Sequence, residues 1–164
     1  MRVVGCDPGC GGALALISNG RLVGVLDMPV FRVRRGKTDK AEVDAGALID
    51  ALRRWGPEVF VLEQVGGLPG QSAPAAFNFG RAVGAAEYSA RGLGLRVELV
   101  APVTWKKAMR LGPGKDEARA TACNLWPEHR ESFARVKDDG RAEAALIAEW
   151  FRRYRMEPSH DVLA

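Results

Sequence analysis

Apolar residues recur along this chain in two rhythms. Val3 to Asp7 is a short apolar run that ends on an acid. Residues 13–18 and 21–28 form two more runs, joined by Asn19-Gly20. An Asn-Gly pair between strand-like runs predicts a tight hairpin, because both turn residues take positive φ. The segment 29–43 is polar and basic and reads as a loop. The period then lengthens. Ala45, Leu48, Ile49, Leu52 and Trp55 follow helical spacing, and Gly56-Pro57 stops the helix. Val59-Phe60-Val61-Leu62 is continuously apolar, as in a strand covered on both faces, and it ends at Glu63. After the loop Gly66-Gly67-Leu68-Pro69-Gly70, residues 72–91 are Ala-rich and helical, and 95–100 is a fifth strand. Pro102 opens a short helix over 103–110. Gly112-Pro113-Gly114 breaks it, a further helix follows over 115–126, and a last one covers 140–154. Strands joined by a hairpin, then strand and helix in alternation, predict an α/β fold with a five-stranded mixed sheet flanked by helices.

The pattern places carboxylates where they are costly. Asp7 and Glu63 both stand at the carboxyl ends of strands, where open α/β sheets hold their sites. Glu143 shares the inward stripe of the last helix with Leu146, Ile147 and Trp150. Asp139 lies four residues earlier at nearly the same azimuth. Asp138 is turned about 100° from it, so the helix geometry favours Asp139 and keeps Asp138 as the alternative. Capping of a helix start accounts for Asp138 or Asp139, but not for an acid on the apolar stripe. Unpaired carboxylates gathered beside a buried sheet would repel one another and take up protons. Divalent cations remove that cost, and an oxygen-only donor set selects Mg2+ or Mn2+ over zinc. Two such ions are a recurring device for phosphodiester cleavage. A metal-dependent nuclease is the leading expectation.

Composition adjusts this picture only slightly. The 164 residues are 47% apolar and 27% charged, as in one globular domain, expected over 1–155 with a tail at 156–164. The chain lacks a long apolar run and a signal-peptide layout, so an intracellular protein with no membrane association is expected. Cys6, Cys10 and Cys123 match no zinc pattern and read as reduced packing residues. The net charge of +4 is mild, but its distribution is uneven. Arg32, Arg34, Arg35, Lys37 and Lys40 cluster in the expected loop. Lys106, Lys107, Arg110 and Lys115 occupy a stretch without acids. Acids at a centre with basic segments around it suit a protein that holds phosphates.

With these residues placed, the chain resembles the RuvC-like Holliday junction resolvases (crossover junction endodeoxyribonucleases) of the RNase H-like superfamily. Val4-Gly5-Cys6-Asp7-Pro8-Gly9 resembles the family's opening strand and turn. Val61-Leu62-Glu63-Gln64-Val65 is similar to its second acidic strand end, and Phe79-Gly80-Arg81-Ala82-Val83-Gly84 to its first long helix. Val100 to Lys107 resembles its lysine segment, Gly112 to Lys115 the turn that follows, and Lys137 to Ala144 its closing acidic helix. The resemblance implies an RNase H-like fold and a homodimer that nicks opposed strands of a four-way DNA junction. It implies two Mg2+ (or Mn2+) ions per site, held by Asp7, Glu63, Asp139 (or Asp138) and Glu143. Lys106, Lys107, Lys115, Arg32, Arg34, Arg35, Lys37 and Arg81 would meet DNA, and the Ala-rich 72–91 helix would pair the subunits. Two departures stand out. Glu143 follows Asp139 by four residues, where the family's last two acids lie three apart. Gly66-Gly67-Leu68 also stands where bacterial members carry an aromatic wedge, leaving Leu68 or Phe77 to substitute.

Three other readings compete. One is an RNase H-like nuclease for other branched DNA or for RNA precursors, which would use the same acids. Another is a small-molecule kinase or ATPase-like module, which normally pairs two such domains and has no need of Asp139 and Glu143 on one helix. The third is a junction-binding protein without catalysis, against which four intact acids argue.

Overall fold

In the computed structural model, which describes residues 1–67, 70–112 and 114–156, five strands form one mixed sheet in the order β3-β2-β1-β6-β7. The strands are β1 (Arg2–Asp7), β2 (Ala13–Ser18), β3 (Arg21–Asp27), β6 (Val59–Glu63) and β7 (Arg96–Val100). The first three are antiparallel, and β6 and β7 run parallel to β1. Asn19 and Gly20 take positive φ at the β2–β3 turn, as their sequence predicts.

Period-two alternation divides the sheet between two apolar layers. Val4, Cys6, Phe60 and Leu62 face α1 (Ala45–Trp55) and α2 (Ala73–Gly92), meeting Leu48, Leu52, Ala86 and Ala90. Val3 and Val61 face the other layer, with Ala144, Ala145, Ile147 and Ala148 of α5 (Asp139–Tyr154). Two shorter helices, α3 (Pro102–Ala108) and α4 (Lys115–Leu125), extend this second layer through Trp105, Ala118 and Ala122. Helix α1 is bounded as its sequence suggests. The Asp44 side chain accepts the Ala47 amide at 3.0 Å, and Gly56 closes the helix in the left-handed region.

The expectation of a loop over 29–43 is corrected. Val30–Arg35 (β4) and Thr38–Val43 (β5) pair as an antiparallel hairpin, separate from the main sheet, around a positive-φ Gly36. Val30 and Phe31 are largely exposed. Among the described residues the ribbon meets the core only at its inner end, where Val43 packs against it, so its sequence lacks the long apolar stripe that marks a buried strand. The last helix also begins earlier than expected, at Asp139. A 3-10 turn over Val136–Asp138 leads into it. Leu68, Pro69, Pro113 and the expected tail beyond Met156 lie outside the described residues, as do the side chains of Arg35 and Lys115.

Helix α5 sits against β1 at backbone distance. A Cβ added to Gly5 would lie 2.1 Å from the Ala144 carbonyl oxygen and 2.6 Å from the Ala148 amide nitrogen. Both obstacles are main chain, so neither can turn aside. Gly5→Ala should therefore destabilise the protein by more than about 3 kcal/mol, above the usual range for overpacking. Urea denaturation would measure this, and a loss under about 1 kcal/mol would show that the helix can shift off the strand.

Candidate active site

Alternation along β1 and β6 determines which way the acids point. Val3, Gly5 and Asp7 share one face, as do Val59, Val61 and Glu63, and both faces turn toward α5. Cys6 is in register with Leu62, so Asp7 and Glu63 leave the sheet side by side. Glu143, near the start of α5, completes the group. Carboxylate oxygens of Asp7, Glu63 and Glu143 all lie within 4.8 Å of one another. Gly140 allows this approach, because a Cβ there would stand 2.9 Å from Asp7 Oδ2.

Each acid has a different environment. Glu63 is 5% exposed, and its Oε1 accepts the indole N–H of buried Trp105 at 2.8 Å. Burial raises its pKa, opposed by the Trp105 bond, and the charge of Glu143 adds to the rise. Glu143 accepts from Lys106 Nζ at 2.7 Å. Burial alone would lower the Lys106 pKa. Its bond to Glu143 and the negative charges of Glu143, Glu63 and Asp7 outweigh that and raise it. Asp7 is the most perturbed. Burial first, then repulsion from Glu143, Glu63 and Asp139, push it up to about 8, against a smaller opposing pull from Lys106. Among the described residues, Lys106 is the cation paired with this cluster of acids, which leaves the group short of positive charge.

Asp138 and Asp139 separate clearly. Asp138 is 1% exposed and lies in a basic pocket. It accepts the Arg135 amide at 2.9 Å and the Arg135 guanidinium at 2.8 Å, with Arg141 Nη1 at 3.7 Å. These bonds close the 3-10 turn and hold its pKa below the usual carboxylate range, chiefly through the Arg135 side chain. Asp139 is exposed at the first residue of α5, where it accepts the Gly140 amide at 3.0 Å, and its charge acts on Asp7. It stands outside the three-acid group.

The basic residues scatter around this centre. Lys106 is inside it, and Lys107 is exposed beside it on α3. Arg32, Arg34 and Lys37 are exposed on the hairpin. Arg81 of α2 pairs with Glu42 of β5 at 2.9 Å, tying the hairpin to that helix. Trp105 was not anticipated as part of the site. Its one trace in the sequence is its place immediately before Lys106 in a helix opened by proline.

The strand order defines an RNase H-like α/β fold, and the acids at the sheet's carboxyl end form a candidate metal centre. The particular likeness is to RuvC. Thermus thermophilus RuvC in complex with a Holliday junction substrate matches with a TM-score of 0.60 at 18% identity, over 93% of this chain and 96% of that one. A second Thermus thermophilus RuvC structure matches with a TM-score of 0.55 at 20% identity, over 93% and 96%. The chain is RuvC-like in fold. No family model matches the sequence, and no curated protein matches it. No helix among the described residues is long and apolar enough to cross a membrane.

Asp7 gives the metal-free protein a characteristic pH response. Its folded pKa, about 8, exceeds the unfolded value of 3.8, so between these values the native state holds a proton that the unfolded chain has released. Stability is then lost as pH rises through that window, and the raised pKa of Glu63 acts in the same direction. In chelator, the wild-type melting temperature should fall between about pH 5 and pH 8, and Asp7→Asn should melt higher than wild type at pH 8. Mg2+ should restore the wild type at pH 8. Equal melting temperatures for the two proteins in chelator at pH 8 would show that Asp7 carries no such burden.

Asp138→Asn should lower the melting temperature by a few degrees with or without metal, because it removes the buried negative charge and one of the two oxygens that accept from Arg135. An unchanged melting temperature would show that the turn stands without this pairing.

Proposed function

We propose that this protein is a divalent-metal-dependent endonuclease that resolves four-way DNA junctions by paired nicks. The observation that carries the reading is the convergence of Asp7, Glu63 and Glu143 at the carboxyl end of a RuvC-like sheet. The donor set fits Mg2+ or Mn2+. It is all oxygen, it is partly buried, and it holds more negative charge than Lys106 balances. In this reading Asp7, Glu63 and Glu143 hold two ions, with Asp139 in preference to Asp138 as the fourth acid. Such ions supply activation of the attacking water and neutralise charge on the leaving oxygen. Trp105 orients Glu63. Lys106 steadies Glu143 and presents positive charge to the phosphate. Lys107, Lys115, Arg32, Arg34, Arg35, Lys37 and Arg81 are the proposed DNA contacts.

A four-way junction offers two equivalent strands, which a two-fold homodimer matches. The surface that suits pairing is on α2. An open groove of about 720 Å³ runs past Ile49, Gly80, Gly84 and Ala85, and it is flanked by Phe77 at 65% and Tyr88 at 70% exposure. Large aromatics at the rim and small residues within give a second copy both anchor and room.

The test uses labelled four-way junctions, linear duplexes and flaps of matched sequence, each with Mg2+, Mn2+ or chelator. Paired, symmetric, metal-dependent nicks confined to the junction are expected. Asp7→Asn should abolish them while retaining junction binding. Asp139→Asn should cut more slowly than Asp138→Asn once both are corrected for folded fraction. Cuts in flaps instead would keep the chemistry but change the substrate. Cleavage by Asp7→Asn at the wild-type rate would overturn the metal-centre reading.

A further inference from the structure

A cleft of about 610 Å³ opens next to the acids, between the turn after β1, the end of β3, strand β4 and the 3-10 turn before α5. Gly11 and Gly12 form the wall it shares with the acid cluster. The same absent Cβ of Gly140 that faces Asp7 Oδ2 at 2.9 Å would stand 3.1 Å from the Gly11 carbonyl oxygen and 3.2 Å from Gly12 Cα. The cleft is therefore separated from the Asp7 carboxylate by the thickness of one turn of chain.

Its charges do not balance. The two acids of the lining, Asp27 and Asp138, are already matched by arginines. Arg141 grips Asp27 through two nitrogens, one at 2.7 Å from Asp27 Oδ2, and Arg135 and Arg141 hold Asp138. Arg32 from β4 and Lys137 from the 3-10 turn also line the cleft. Both are exposed, and among the described residues neither side chain makes a hydrogen bond or ion pair. The cleft thus presents two uncommitted cations from two separate elements. The acids beside it would repel the phosphates of an approaching strand, and Lys106, the cation among them, is engaged by Glu143. Positive charge close to that centre, but not bound to it, is what a polyanion needs in order to stay there.

We propose that this cleft is a backbone-binding subsite. Arg32 and Lys137 hold phosphates that flank the one being cut, and so keep the strand lying across the acids. The assignment rests on the nuclease reading above and adds to it Lys137 as a phosphate ligand and the cleft as the strand's path. Asp27, Arg141, Asp138 and Arg135 act as the rigid, neutral frame that keeps the two walls apart.

The test is an Arg32→Ala/Lys137→Ala double variant, measured for four-way-junction affinity across a salt series in chelator, with phosphate ethylation interference on the same junction. The control is Arg53→Ala/Arg54→Ala, which removes the same charge near Trp55, at the opposite end of the sheet from the acids. Both altered pairs are exposed, so melting temperatures should match wild type. The slope of log affinity against log salt should become shallower by about 2 in the double variant, one for each lost phosphate contact. Interference should vanish at phosphates next to the cut and persist elsewhere, and the control should keep both the slope and the pattern. A double variant with the wild-type slope and the wild-type pattern would overturn the subsite while leaving the nuclease reading intact. Wild-type protein that binds no junction, flap or duplex would overturn the nuclease reading itself, and the subsite with it.

Discussion

The contact on which this structure depends is the one between the backbones of β1 and α5. At Gly5 the Ala144 carbonyl and the Ala148 amide occupy the place of a Cβ, and at Gly140 a Cβ would crowd the Asp7 carboxylate and the Gly11 carbonyl. Alanines at 142, 144, 145 and 148 keep the rest of the helix face low. The approach does more than fill a core. It brings a carboxylate on a helix within reach of carboxylates on two strands, although these elements lie far apart in sequence. Close packing of main chain against main chain tolerates little displacement, so the acids inherit the rigidity of the core.

That rigidity has an electrostatic cost. Three carboxylates held together at the edge of an apolar layer repel each other, and Asp7 bears most of the effect. Among the described residues it is offset only in part, by the indole bond to Glu63 and the Lys106 ammonium on Glu143. A few residues away, Asp138 shows how the chain treats an acid whose charge it pairs fully. Its side chain is less exposed than that of Asp7, and the arginines that wrap it keep its pKa low. Satisfied and unsatisfied acids within one short stretch of chain are the contrast expected between framework and working site.

Much of this could be read from the sequence, and the limits have physical causes. Alternation along Val3–Asp7 and Val59–Glu63 reveals both strands and the face their acids take, because a buried strand must repeat every two residues. Glu143 on an apolar stripe is legible for the same reason at helical period. The hairpin at 30–43 was missed because its strands bury little and their charges hide the alternation. The choice between Asp138 and Asp139 turned on where α5 begins. That depends on the Arg135–Asp138 bonds and the 3-10 turn they close, which no periodicity encodes. The Trp105–Glu63 bond spans 42 residues, and only the packing of α3 against the sheet brings its partners together.

The contact at Gly5 and Gly140 also bears on which ions could fit the candidate centre. Asp7 and Glu143 stand on backbones already touching, and Glu63 is tethered by a buried indole. None of the three can retreat far to widen the space among them. Small ions such as Mg2+ demand short, strict coordination, whereas Ca2+ needs longer bonds and more ligands. If the proposed ions bind here, a cage braced by main chain would discriminate by ionic radius without any residue dedicated to the task. The absence of two methyl groups, at Gly5 and Gly140, sets the aperture.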